Sequence, residues 1–84
     1  MKHQFDAELL SEVTHAARIV WGEIAADVYA IDETENYDAV TEVECSLDAD
    51  RLLTFGYRDE YAAFKLLLEQ GDFQSLCKAI ATNW

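Results

Sequence analysis

The apolar residues near the end of the chain recur with the spacing of one helix face. They follow Asp72 at positions i, i+3, i+4, i+7, i+8 and i+11, and they are Phe73, Leu76, Cys77, Ile80, Ala81 and Trp84. Because an α-helix completes a turn every 3.6 residues, this spacing places all of these side chains on one side of a helix. Asp72 belongs to the residue types that favour the N-cap position. The sequence therefore predicts a last helix that begins after Asp72 and buries this face in a core.

Two earlier segments repeat the helical periodicity. Residues 6–28 form the first predicted helix, with Asp6 as its cap. Gly22 lies inside it, lowers its stability by ~1 kcal/mol relative to alanine and marks a place where the helix could break. Residues 59–70 form the second predicted helix, and Gly71 follows where a helix favours a left-handed residue. The predicted core combines side chains of these segments and of the last helix: Val13, Trp21, Ile24, Phe64, Leu67, Leu68, Phe73, Leu76 and Ile80.

The acids of residues 37–50 all occupy even positions, whereas the odd positions carry neutral side chains. This alternation is typical of a strand, and a β-hairpin near residues 28–45 would give an α+β fold. On such a strand the carboxylates would share one face about 6.7 Å apart, close to twice the roughly 3.4 Å rise per phosphate of one DNA strand. A strand would therefore present the acids as a regular row that imitates a nucleic-acid backbone.

The same segment also fits a helix. Val40, Val43 and Leu47 share one helix face, and no glycine marks a tight hairpin turn. We therefore favour one helix over residues 37–55 that stops at Gly56. The predicted fold class is all-α, a small bundle of about four helices in a single acidic globular domain over residues 1–84, with the α+β fold as the alternative.

The negative charge of the chain is concentrated in one segment. Between Arg18 and Arg51 there are ten carboxylates and no basic side chain; they are Glu23, Asp27, Asp32, Glu33, Glu35, Asp38, Glu42, Glu44, Asp48 and Asp50. The remaining acids and bases nearly cancel. The segment between Arg18 and Arg51, called the acidic segment below, therefore carries −10 of the formal net charge of −11. Such a field repels nucleic acid and attracts basic surfaces.

The acidic segment is the candidate site for a partner. The predicted partner-binding residues are Asp32, Glu33, Glu35, Asp38, Glu42, Glu44, Asp48 and Asp50. Their carboxylates would form charge-assisted hydrogen bonds with arginines and lysines of a basic nucleic-acid-binding protein or complex. The alternative is a self-associating helical module with a structural or regulatory role, for example a homodimer, in which the charge serves solubility only.

In size, charge and composition the chain resembles the small inhibitors that phages and other mobile elements encode against host nucleic-acid machinery, including anti-CRISPR and anti-restriction proteins. This resemblance concerns the overall character of the chain and covers no specific site. It implies an inhibitor that acts as a DNA mimic, occupies a basic nucleic-acid channel of a host complex and blocks it by competition. Catalysis is not needed for such a mechanism.

The motifs of catalysis and metal binding are incomplete. Glu12 and His15 have the Glu-x-x-His spacing of di-iron bundles, but no second copy of the motif exists. The loop that begins at residue 32 resembles the start of an EF-hand, yet Tyr37 and Val43 replace its glycine and its last glutamate. Ser11 and His15 lack the turn of a catalytic nucleophile. We therefore expect no enzyme, no cofactor and no metal site.

The remaining features concern the environment of the protein. The six basic residues are scattered and form no nucleic-acid footprint, so we expect no direct nucleic-acid binding. The first residues lack the apolar stretch of a signal peptide, and no run approaches the ~18 apolar residues of a membrane span. We expect a cytoplasmic protein that avoids membranes, located in the host cytoplasm if a phage encodes it. Cys45 and Cys77 are expected to be buried free thiols.

Overall fold

The computed structural model describes residues 5–27 and 37–84, and every regular element in these two ranges is helical. The elements are α1 (Ala7–Asp27), α2 (Ala39–Leu47), a 3-10 turn (Asp48–Asp50), α3 (Arg51–Thr54), α4 (Arg58–Gln70) and α5 (Phe73–Thr82). The long helix α1 packs against α2 and α4, and α2 packs against α5. The predicted all-α class is confirmed. Most of the residues of the second strand of the alternative hairpin belong to α2 instead. The residues of its first strand lie outside the described residues.

An aspartate precedes each of the helices α1, α2 and α5 and caps it. In each case a carboxylate oxygen accepts a hydrogen bond from the backbone N–H three residues later: Asp6 from Leu9 (3.0 Å), Asp38 from Thr41 (2.8 Å) and Asp72 from Ser75 (2.6 Å). The first N–H groups of a helix have no partner within the helix, so these bonds stabilise its start. The predicted caps Asp6 and Asp72 are confirmed, and Asp38 is a third.

The predicted single helix over residues 37–55 is wrong, because the chain breaks it after Leu47. Ala49 and Asp50 have left-handed backbone angles, with φ values of 54° and 57°. Nine positions separate Val43 from Leu52, which is about two and a half helical turns, so a continuous helix would point these two side chains in opposite directions. The break instead brings both into the core, where both are buried.

The core lies between α1 and the helices that pack on it. Its buried apolar side chains are Val13, Ala16, Ala17, Val20, Ile24, Val43, Leu47, Leu52, Ala63, Phe64, Leu67, Leu76, Cys77 and Ile80. Most of the predicted core residues are among them. Trp21, Leu68 and Phe73 are only partly buried and pack against this cluster from outside.

The three glycines have different roles. The helix α1 continues through Gly22 without a break, and a methyl group added there would contact nothing within 4 Å. Gly56 has a φ of +90° and ends α3, as predicted for a helix stop. Gly71 is extended, with φ −170°, so its predicted left-handed conformation is wrong. Glycine adopts left-handed and extended backbone with similar ease, and here Gly71 and the extended Asp72 form the two-residue connection from α4 to the capped start of α5.

Candidate functional site

Two candidate carboxylates of α2 connect this helix to α5 and to Trp84, which follows α5. The indole Nε1–H of Trp84 donates a hydrogen bond to Oε1 of Glu42 (2.7 Å), and Nε2 of Gln74 donates to Oε2 of Glu44 (3.2 Å). Residues two positions apart on a helix are rotated by about 200°, so the two glutamates lie on opposite flanks of α2. The buried face of α2, with Val43, lies between them. Both glutamates therefore contribute to the packing of α2 on α5.

Asp38 and Asp50 also have structural contacts, although both are exposed. The hydrogen bonds from the backbone and side chain of Thr41, with a further one from the backbone of Val40, lower the pKa of Asp38. Asp50 Oδ1 accepts a hydrogen bond from the hydroxyl of Tyr61 (3.1 Å). These bonds hold the two carboxylates at opposite ends of α2 and leave them accessible to solvent.

The remaining candidate residues fall into two groups. Asp48 is exposed at the C-terminal end of α2. Asp32, Glu33 and Glu35 lie outside the described residues. Because residues 39–47 are helical, the regular row of carboxylates that a strand would present is absent from this part of the chain. The structure brings Asp38, Asp48 and Asp50 to the exposed ends of α2 and places Glu42 and Glu44 in contacts along its sides.

A groove without carboxylates lies on the outer side of α1. Its volume is about 440 Å³, and its lining includes Ser11, Thr14, His15 and Arg18 together with Asn83 from the end of α5. The polar residues of α1 recur at helical spacing, which sequence reasoning could have used. The contribution of Asn83 is a long-range contact that the sequence does not indicate.

A second hollow, of about 350 Å³, lies between α2 and α5 and is lined by Glu44, Cys45, Asp48, Phe73 and Gln74. Cys45 is only partly buried, so the expectation of two buried thiols holds for Cys77 alone.

Burial, with the nearby charge of Glu44, raises the pKa of Cys77 to about 12, so this thiol stays protonated near neutral pH. Within residues 5–27 and 37–84, no group of three His, Cys, Asp or Glu side chains could hold a metal ion.

Several large apolar side chains are exposed: Ile19, Leu53, Phe55 and Leu66. Leu53 and Phe55 lie close together in sequence, on α3 and at its end. Trp84, which the sequence places on the buried face of the last helix, is partly buried and packs against the core cluster. The apolar side chains of the short helix α3 are the feature of this surface that sequence reasoning missed, because it placed residues 37–55 in one helix.

Comparison with protein-family models, with curated proteins and with solved structures finds no match for this chain. Among the helices that the structure describes, none is both long and apolar enough to cross a membrane.

Proposed function

We propose that this protein is a small acidic inhibitor that binds a basic surface of a nucleic-acid-binding protein or complex and competes there with nucleic acid. The observation that carries the proposal is the acidic segment, in which ten carboxylates occur without one basic residue. A field of this sign excludes phosphate and attracts a channel lined by lysine and arginine. The proposed mode of action is DNA mimicry, as in those anti-CRISPR and anti-restriction inhibitors that block a nucleic-acid channel of the host machinery.

The exposed aspartates at the two ends of α2 support a binding role for these ends. Asp38, Asp48 and Asp50 are exposed, and they flank a helix of nine residues, which is about 14 Å long. A single exposed ion pair contributes only ~0.2 to 1 kcal/mol, so binding requires several pairs that lose water together. The mimicry is therefore one of overall charge and not of a regular phosphate spacing.

The experiment compares two variants with the same change of net charge. The first carries Glu33→Lys, Glu35→Lys and Asp48→Lys, all in the acidic segment. Glu42 and Glu44 are left intact because they bond to Trp84 and Gln74. The matched control carries Glu12→Lys, Asp59→Lys and Glu69→Lys, at exposed positions outside the segment.

Each protein is immobilised and exposed to a nuclease-treated bacterial lysate, and the captured proteins are eluted with a DNA duplex and identified by mass spectrometry. We expect the wild type and the control variant to capture a nucleic-acid-binding protein that DNA releases. The variant with lysines in the acidic segment should not capture it. Equal capture by both variants, or no protein released by DNA, would contradict it.

A second candidate function is self-association as a helical module, and the exposed side chains of Ile19, Leu53, Phe55 and Leu66 favour it. Salt separates the two functions, because screening weakens a complex held by charge and leaves an apolar contact largely intact. Sedimentation of the purified protein at low and high salt tests this directly. A dimer that persists at high salt supports self-association, and a monomer under both conditions excludes it.

A further inference from the structure

We infer that the groove on the outer side of α1 binds a small organic anion, whose carboxylate or phosphate group contacts Arg18 and His15. The inference is independent of the proposed function, because it concerns a different surface and a different class of ligand. It is carried by the groove itself, by the chemistry of its lining and by an arginine that has no partner among the described residues.

The groove joins parts of the chain that are far apart in sequence. Six of its lining residues belong to α1, and the seventh is Asn83, which follows α5. Its volume of about 440 Å³ lies within the range of roughly 300 to 1,000 Å³ that is typical of small-molecule pockets. The packing of α1 beside the end of α5 therefore builds a concave surface large enough for a small organic molecule.

The polar lining residues of α1 converge because of their helical spacing. They occupy positions i, i+3, i+4 and i+7, and they are Ser11, Thr14, His15 and Arg18. Residues with this spacing lie on one side of a helix. Two hydroxyl groups, an imidazole and a guanidinium therefore border the same groove as the carboxamide of Asn83, and each of these groups can donate a hydrogen bond.

The charge of the lining determines the class of ligand. Among the described residues that line the groove there is one arginine and no carboxylate. Within residues 5–27 and 37–84, no hydrogen bond or ion pair engages the guanidinium of Arg18. A guanidinium binds carboxylate and phosphate groups through paired, charge-assisted hydrogen bonds. The lining therefore favours an anion, and Ala7 and Leu10 offer apolar contact to its organic part.

The net charge of the protein opposes anion binding mainly at long range. Glu8 and Glu12, which also lie on this part of α1, do not line the groove. At physiological ionic strength, charges farther away than about 8 Å are largely screened. The donors of the groove should therefore dominate the affinity when binding is measured at about 0.15 M salt.

Three probes that share a phenyl ring test the class of ligand: phenyl phosphate, benzoate and the neutral benzyl alcohol. Binding to the isotope-labelled full chain is followed through the backbone amide resonances. We expect phenyl phosphate and benzoate to bind at least about tenfold more tightly than benzyl alcohol, a difference of ~1.4 kcal/mol. The tighter of the two anions identifies the preferred head group. Shifts should include the amide of Asn83 as well as residues 11–18, because the groove joins them.

Two variants with the same change of charge test the role of Arg18. Arg18→Gln and Arg58→Gln each remove one positive charge from an exposed position, but Arg58 lies on α4 and does not line the groove. Arg18→Gln should weaken the binding of phenyl phosphate by about tenfold. Arg58→Gln should preserve it. Circular dichroism of both variants checks that the helices are retained.

Four outcomes would overturn the inference. Shifts that do not saturate would show that no site exists. Equal affinities for benzyl alcohol and the two anions would show an apolar groove without a preference for anions. Shifts around Arg18 that spare Asn83 would show ion pairing on the surface of α1 instead of binding in the groove. Equal losses for Arg18→Gln and Arg58→Gln would show a general effect of net charge.

Discussion

The indole N–H of Trp84 donates a hydrogen bond to a carboxylate oxygen of Glu42, across 42 positions of sequence and a distance of 2.7 Å. The contact connects the last residue of the chain to the middle of the acidic segment. Glu42 is therefore both a negative charge of the candidate site and part of the packing of α2 on α5. This double role limits which acids can be replaced to test function without disturbing the fold.

We predict that Glu42→Ala lowers the free energy of unfolding by about 1 to 3 kcal/mol, because it removes the acceptor and leaves the partly buried indole N–H without it. Glu42→Gln keeps an acceptor oxygen and should lower stability less. Urea denaturation followed by Trp fluorescence measures both. Glu12→Ala, at an exposed position of α1, is the control and should change little. Equal losses for Glu42→Ala and Glu12→Ala would show that the hydrogen bond contributes nothing.

The core can be tested by truncation of buried side chains. Leu76 and Phe64 are buried, so Leu76→Ala and Phe64→Ala should each lower stability by about 2 to 5 kcal/mol through lost apolar burial and a residual cavity. Leu66→Ala, on the exposed side of α4, should cost less than about 0.5 kcal/mol. Denaturant midpoints give the values. A loss below about 1 kcal/mol at Leu76 would remove this residue from the core.

Two glycine substitutions should have opposite effects. Gly22 lies inside α1 with open space around it, so Gly22→Ala should stabilise the protein by roughly 0.8 to 1 kcal/mol. Gly56 has a φ of +90°, which an alanine rarely adopts, so Gly56→Ala should destabilise by about 1 kcal/mol or more. Thermal denaturation of the two variants shows whether each substitution raises or lowers the stability of the protein. A rise in melting temperature for Gly56→Ala would contradict the backbone conformation at the end of α3.

The cap at Asp38 should make stability depend on pH. Hydrogen bonds from Thr41 lower the pKa of Asp38 below its usual value of 3.8, so folding favours the ionised carboxylate. The resulting stabilisation is present above the unfolded pKa and is lost as the pH falls through the folded pKa. Asp38→Asn keeps a capping oxygen that does not titrate. We predict that wild type exceeds Asp38→Asn in stability at neutral pH and that this difference shrinks in acid, below about pH 4. A difference that stays constant across this range would exclude the ionised cap.

The sequence predicted those parts of the fold that depend on local pattern. The helices α1, α4 and α5 and the caps Asp6 and Asp72 follow from periodicity and residue type within one segment. The break at Ala49 does not, because alanine is a strong helix former and the left-handed turn is accompanied by contacts outside the local pattern, such as the burial of Leu52 and the hydrogen bond of Asp50 with Tyr61. The left-handed conformation predicted for Gly71 was also wrong, because glycine permits both left-handed and extended backbone and the residue type alone does not decide between them.

The candidate site, like the fold, could be predicted from the sequence only in part. The charge of the acidic segment is a property of composition and could be read directly from the chain. The contacts of Glu42 with Trp84 and of Glu44 with Gln74 could not, because they join residues 42 and 30 positions apart. The exposure of Leu53 and Phe55 also depends on the break at Ala49. Long-range packing therefore determines which acids are available to a partner and which apolar side chains accompany them.

The most direct test of the central claim is an equilibrium competition on the protein captured from the lysate. A fluorescently labelled DNA duplex is bound to this purified partner, and its anisotropy is followed as the acidic protein is added at low and at moderate salt. We predict complete displacement of the DNA, no ternary complex and a marked loss of competition as salt rises. Simultaneous binding of DNA and the acidic protein to the partner would contradict it.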